Sequence, residues 1–233
     1  MQIRAMISAC FVLVMIAGCV SLGTFNSAER EFEMGLGFFN RGLYDEAIPH
    51  FHRATELDLN YVDAYIYLGR SHLSMARWAQ AIPPLRTAFR LSPARTQDEI
   101  LNILIDALLG AALTEFKSGN YPGAISHLRE GLQLKSGSDK LTTQLVTVII
   151  AQGRELLSQG RYKDAISSFS EAIKLSPDET DAYLGLAKAF LKEGDFFKAL
   201  DASEKALRID PSNRDADSLR KQLKIKPNDM LLP

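Results

Sequence analysis

One pattern, met five times, restricts this chain more than any other feature in it. GLYDEAI begins at Gly42, ARWAQAI at Ala76, GNYPGAI at Gly119, GRYKDAI at Gly160 and GDFFKAL at Gly194. In each, a small residue is followed two positions later by an aromatic one, and three positions beyond that by alanine. Upstream, small residues recur on a helical period, as in Leu68-Gly69, Gln152-Gly153 and Leu186-Ala187. Downstream come Ala54, Ala88, Ala172 and Ala206, with prolines at Pro93, Pro177 and Pro211. Self-similarity on this scale means a supersecondary unit stacked on copies of itself, because a single unit is too small to bury its own apolar face.

These residues resemble the tetratricopeptide repeat, in which two antiparallel helices form each unit. The resemblance implies an all-α fold, a right-handed superhelix of helix pairs. The small residues let the two helices approach closely, the aromatic fills the gap between units, and the proline ends the second helix. Five units are expected over 28–213, at 28–61, 62–95, 96–138, 139–179 and 180–213. The chain departs from the family pattern in places. Leu59 and Ser136 stand where proline is expected, Gly131 replaces an alanine, and Pro49, Pro83 and Pro84 fall inside second helices, where they predict kinks. A charged helix with apolar Leu219, Leu223 and Ile225, at 214–226, is expected to cap the last apolar face, followed by a tail at 227–233.

The alanines Ala47, Ala81, Ala124, Ala165 and Ala199 are separated by 34, 43, 41 and 34 residues, so the two inner steps carry extra length. Thr96-Gln97-Asp98-Glu99 has the spacing of a capping box, which starts the first helix of unit three there and runs it to Lys117. Ser136-Gly137-Ser138 opens another long helix ending near Ser158. Each insertion amounts to about two turns at 3.6 residues per turn. The added residues Ile100, Leu101, Ile103 and Leu104, with Leu141, Leu145, Val146 and Val148, are too apolar to project freely, and the two extensions are expected to pack on each other. The outer edge of the long helices at 97–117 and 139–158 is a candidate surface for a second copy of the chain.

The start of the chain carries a different kind of signal. Arg4 is followed by an apolar run from Ala5 to Ala17 and by small residues, the layout of a secretion signal. Ile16-Ala17-Gly18-Cys19 resembles the bacterial lipobox, whose cysteine becomes the lipidated N-terminus of the mature protein. That resemblance implies removal of a signal peptide at 1–18, acylation at Cys19, and a short tether at 19–27. Stable anchoring requires more than one acyl chain, which lipidation of this kind supplies. Val20, not aspartate, follows the cysteine, which implies the outer membrane, facing the periplasm, in a bacterium with two membranes.

Few chemistries fit the rest of the chain. A formal net charge of −1 does not indicate a nucleic-acid surface. Gly35-Leu36-Gly37 misses the spacing of a dinucleotide loop. His50 and His52 do not share a helix face, and His72 and His127 stand alone, so neither a metal nor a cofactor is expected. No nucleophile elbow, phosphate loop or paired-carboxylate signature occurs, and no enzyme is expected.

What the repeat resemblance implies instead is a partner-binding groove formed by the first helix of each unit. One row of groove positions is Phe32, Ile66, Leu109, Ile150 and Leu184; a second is Phe39, Leu73, Phe116, Leu157 and Leu191. Between them stand Leu36, Arg70, Leu113, Arg154 and Lys188, an apolar strip studded with positive charge that suits an acidic, partly apolar segment. Chaperone-binding members of the family use lysine and asparagine in the first unit to clamp a terminal carboxylate; Phe32 and Leu36 hold those places here, so that clamp is not expected. The expected function is a membrane-anchored scaffold holding a peptide or helix of another envelope protein during assembly, in the manner of pilotin or barrel-assembly lipoproteins. An accessory regulator or localiser of a peptidoglycan enzyme is the alternative.

Overall fold

A computed structural model of the chain describes residues 27–229, with side chains to residue 224. The expected signal peptide, Cys19, nearly all of the tether and the end of the tail lie outside the described residues. Among the described residues there are eleven helices and no strand: α1 (Ser27–Phe39), α2 (Tyr44–Leu57), α3 (Val62–Ser74), α4 (Trp78–Leu91), α5 (Ala94–Lys117), α6 (Tyr121–Leu134), α7 (Asp139–Ser158), α8 (Tyr162–Leu175), α9 (Thr180–Glu193), α10 (Phe196–Ile209) and α11 (Arg214–Asp229). Short turns join them, and within each unit the consecutive helices that touch run antiparallel.

The repeated aromatic residue is the first residue of every second helix: Tyr44, Trp78, Tyr121, Tyr162 and Phe196. The small residue before it takes a left-handed conformation, with φ of 76° at Gly42, 80° at Gly119, 75° at Gly160 and 94° at Gly194. Ala76 does the same at φ 54° without glycine's freedom. Every second helix is also closed alike. The N–H of Asp58, Ser92, Lys135, Ser176 and Asp210 donates to the carbonyl of Ala54, Ala88, Gly131, Ala172 and Ala206 respectively. Units one and three close this way although Leu59 and Ser136 replace the terminating proline. Helices α2 and α4 continue through Pro49, Pro83 and Pro84.

The chain divides into two compact units, the first ending at Leu104 and the second starting at Ile105, within α5. In the first, α1 packs on α2, α2 on α3 and α3 on α4, and α1 also touches α3. Phe32, Ala47, Phe51, Ala54, Ala64 and Leu68 form one core cluster there, with Leu36, Phe39, Tyr61 and Tyr67 packed against them, and Ala81, Ile82, Leu85 and Ala88 of α4 are buried as well. The Gly35 backbone lies so close to Phe51 that an added Cβ would come within 2.8 Å of the ring, and Gly69 stands against Leu85 in the same way.

In the second unit α6 packs on α7, α7 on α8, α8 on α9, α9 on α10 and α10 on α11, and the first helices α7, α9 and α11 touch in sequence. Its core runs from Leu109 and Ala112 through Leu128, Leu141, Leu145, Ile149 and Phe169 to Ala189. A second cluster joins Leu184, Ala187, Ala199, Ala202 and Ala206 to Ala216, Leu219 and Leu223 of α11. That helix therefore covers the apolar face left by α9 and α10.

The long helices carry one correction. Helix α5 starts at Ala94, directly after Pro93, and no capping box forms: the Thr96 hydroxyl donates to the Pro93 carbonyl at 3.1 Å, and Glu99 is engaged by Arg70 instead. Proline supplies a fixed φ suited to a helix start, so the helix begins earlier than the capping signal indicates. Helix α7 does start behind Ser138, whose side chain accepts from the Leu141 N–H. Of the added apolar residues, Ile100, Leu104, Leu141, Leu145, Val146 and Val148 are buried, and Leu101 and Ile103 are half-buried. Leu141 also explains Gly131: a Cβ there would lie 3.1 Å from Leu141 and 3.7 Å from Ile105.

Candidate functional site

All fifteen expected groove residues stand on the first helices of their pairs: α1, α3, α5, α7 and α9. They differ in what they leave exposed. In the first row Phe32, Leu109, Ile150 and Leu184 are buried and belong to the core clusters, while Ile66 is half-buried. In the second row Phe39, Leu73, Phe116, Leu157 and Leu191 are all half-buried. Between them, Leu36 and Arg70 are half-buried, and Leu113, Arg154 and Lys188 are exposed. Apolar groups at a helical spacing serve the core first, whereas Ile66 and the residues of the middle and second rows keep accessible surface.

In the first unit this surface is aromatic. Tyr67 of α3 stands 5.1 Å from the Phe39 ring and 5.5 Å from Phe32, both edge-on, and Phe32 lies 5.0 Å from Tyr61. Arg70 reaches over Tyr67 at 5.7 Å and bonds Glu99 at 3.0 Å. The guanidinium is thus held by a ring and a carboxylate, a cation–π contact beside an ion pair.

In the second unit four of the expected residues, Arg154, Leu157, Leu184 and Lys188, line one cavity of about 520 Å³ between α7, α8 and α9. Tyr162, Ser158, Gly185, Asp181 and Lys192 complete its wall. A volume of this order accommodates one or a few side chains of a ligand. Three cations, Arg154, Lys188 and Lys192, face a single carboxylate, Asp181. Lys188 and Lys192 are one turn apart on α9 and share a face, and Lys192 has no ion-pair partner among the described residues. Leu157 and Leu184 supply apolar wall, and Tyr162 adds an aromatic body with a polar tip.

The expected positive track is engaged within the chain. Arg154 donates to Asp181 at 2.7 Å, and Lys188 lies 3.5 Å from Asp215. With Arg70 on Glu99, every cation of the row is joined to the first helix of the following unit or to the cap. Tyr162, a filler between units by its repeat position, and Lys192, four residues after Lys188, join the wall although neither is among the expected groove positions, and no local sequence signal marks Asp181.

A larger cavity, about 790 Å³, lies between α6 and α8 over Gln152 of α7 and contains none of the expected residues. Arg129 of α6 donates to Glu171 of α8 across it, and Glu130 makes its charge balance acidic. Among the described residues no group of histidine, cysteine, aspartate or glutamate is placed to hold a metal ion, and no helix is long and apolar enough to cross a membrane.

Comparison with known proteins agrees with the geometry. A family model for the tetratricopeptide repeat matches residues 32–96 and 150–214, together more than half of the chain. The chain is 25% identical over 240 residues to the DnaJ homolog subfamily C member 3 of Gallus gallus, covering 84% of this chain and 45% of that one. It is 24% identical over 211 residues to the Hsp70-Hsp90 organizing protein of Triticum aestivum, covering 80% and 36%. The chain thus spans less than half the length of these relatives. Its fold is similar to the crystal structure of a TPR repeats protein from Bacteroides fragilis NCTC 9343, with a TM-score of 0.61 at 15% identity over 86% of this chain and 99% of that one.

Proposed function

Since the chain belongs to the tetratricopeptide repeat family, we propose that it is an interaction scaffold that holds an acidic, partly apolar peptide segment or helix of another protein. The observation that carries this reading is the cavity between α7, α8 and α9, where Arg154, Lys188 and Lys192 stand beside Leu157, Leu184 and Tyr162. Cations next to apolar wall favour a ligand that alternates carboxylates with aliphatic groups, and such charges govern encounter rate and partner choice. Catalysis is not part of the proposal.

The scaffold is proposed to act at a membrane. Ile16-Ala17-Gly18-Cys19 supports acylation at Cys19, and Val20 supports placement at the outer membrane with the repeats in the periplasm. The partner is then another envelope protein, bound during assembly of an envelope complex.

A photoreactive phenylalanine analogue at position 157, in the native membrane, tests the reading. Irradiation is expected to capture one envelope protein through a segment rich in acidic and aliphatic residues. The same analogue at the exposed Leu175, outside the cavity, is expected to capture none. Equal capture from the two positions overturns the assignment of the cavity.

A further inference from the structure

The cavity already contains a carboxylate, and that carboxylate belongs to the chain. Asp181 stands in the first turn of α9, where the helix dipole favours a negative charge. It reaches back to Arg154 of α7 at 2.7 Å. Asp215 occupies the same place in α11 and lies 3.5 Å from Lys188 of α9. The two pairs repeat one geometry, a cation late in one first helix and an acid 27 residues further on, at the start of the next helix of that row. In the first unit Arg70 and Glu99 form a third pair, 29 residues apart.

Resting on the proposed acidic ligand, we infer that Asp181 and Asp215 are internal competitors for the groove: each holds a cation that a ligand carboxylate takes when it binds. The contact is exposed on both sides, with Arg154 and Asp181 more than half accessible, so both partners can be reached from solvent. Lys192 has no ion-pair partner among the described residues and offers the first contact. Lys188, one turn away and held at 3.5 Å, is next, and Arg154, held at 2.7 Å, is last. A ligand with a single carboxylate is served by Lys192 alone. Only a ligand with several, spaced along the groove, displaces the aspartates, so the competition selects for acidic runs over isolated acids. The apparent affinity falls by the fraction of time in which the cations are occupied. Removing a competitor therefore strengthens binding although it also removes a contact between helices.

The full chain, a short fluorescein-labelled peptide of alternating leucine and glutamate, and its leucine–glutamine counterpart provide the test at low ionic strength. Asp181→Asn is expected to bind the glutamate peptide roughly two- to fivefold more tightly than wild type, the factor corresponding to an exposed ion pair. Asp215→Asn is expected to gain less. In the Arg154→Gln background the gain from Asp181→Asn should vanish, because the competitor has lost its object, whereas a general effect of removing negative charge would persist. If wild type binds and Asp181→Asn binds no more tightly, or if the gain survives in Arg154→Gln, the competitor role is overturned and the groove reading stands. If neither wild type nor any variant distinguishes the glutamate peptide from its glutamine counterpart, the acidic-ligand reading falls and the inference falls with it.

Discussion

Phe169 shows how little slack the repeat leaves at the level of single residues. Its ring is fully buried between Gly153 of α7 and Gly185 of α9. A Cβ would meet it at 2.8 Å at the first glycine and at 2.3 Å at the second. Alanine is the better helix former by about 1 kcal/mol, but a buried ring cannot move aside, and overpacking costs about 1–3 kcal/mol. Gly185→Ala is therefore expected to lower stability, read as a reduced urea midpoint. The opposite sign is expected at Ala76, whose φ of 54° is unfavourable for any residue with a Cβ. Ala76→Gly relieves about 1–2 kcal/mol of backbone strain against 0.5–1 kcal/mol of added chain entropy, and a small rise in thermal midpoint should follow. His72 is expected to give the fold a pH dependence. Its Nδ1 is buried without a hydrogen-bond partner among the described residues. Burial, and then the nearby Arg77, depress its pKa below the usual histidine value, partly offset by Asp45. Below the ordinary value near 6.5 the unfolded chain takes up a proton that the folded chain refuses, so stability falls as the pH drops from there through the folded pKa. Urea unfolding at pH 7.5 and at pH 5.5 should show a larger acid loss for wild type than for His72→Phe.

At the scale of elements, all five second helices are 14 residues long, start on the repeated aromatic and close on the same carbonyl position, whether or not proline follows. The start was legible because the left-handed residue and the aromatic are local features. The independence of the end from proline was not, because backbone hydrogen bonding at the last turn satisfies the helix without it. Helix α11 has a different role: Ala216, Leu219 and Leu223 face the cluster built by α9 and α10. Leu223, almost fully buried, is expected to cost about 2–5 kcal/mol on truncation to alanine. Loss of near-ultraviolet signal and a lower urea midpoint in Leu223→Ala would register it. An unchanged midpoint would mean that α11 does not act as a cap.

At the scale of the molecule, the proposed anchor limits where the repeats work. Only residues 20–26 separate Cys19 from the start of α1 at Ser27. An extended residue spans at most about 3.6 Å, which keeps the first helix within about 30 Å of an acylated Cys19. Cys19→Ala should abolish labelling by radioactive palmitate. A long flexible linker inserted after Gly23 should impair function if the partner is met at the membrane surface. Persistent labelling in the first variant removes the anchor from the proposal, and undiminished function in the second removes the need for proximity.

The sequence by itself determined the repeat, the helix pairs and the residues that let them approach, because each depends on contacts within a unit or on a spacing repeated five times. It also put fifteen candidate positions on the first helices of the pairs. Tertiary packing alone decided which of them remain available. Phe32, Leu109, Ile150 and Leu184 went to the core, while Leu157, Arg154 and Lys188 stayed at a surface. Packing also brought Asp181 to Arg154 and Asp215 to Lys188, each pair 27 positions apart in the chain. A helical period places neighbours three or four residues apart; which acid of the next unit lies within reach of a given cation depends on how two helices pack, and no local spacing encodes that.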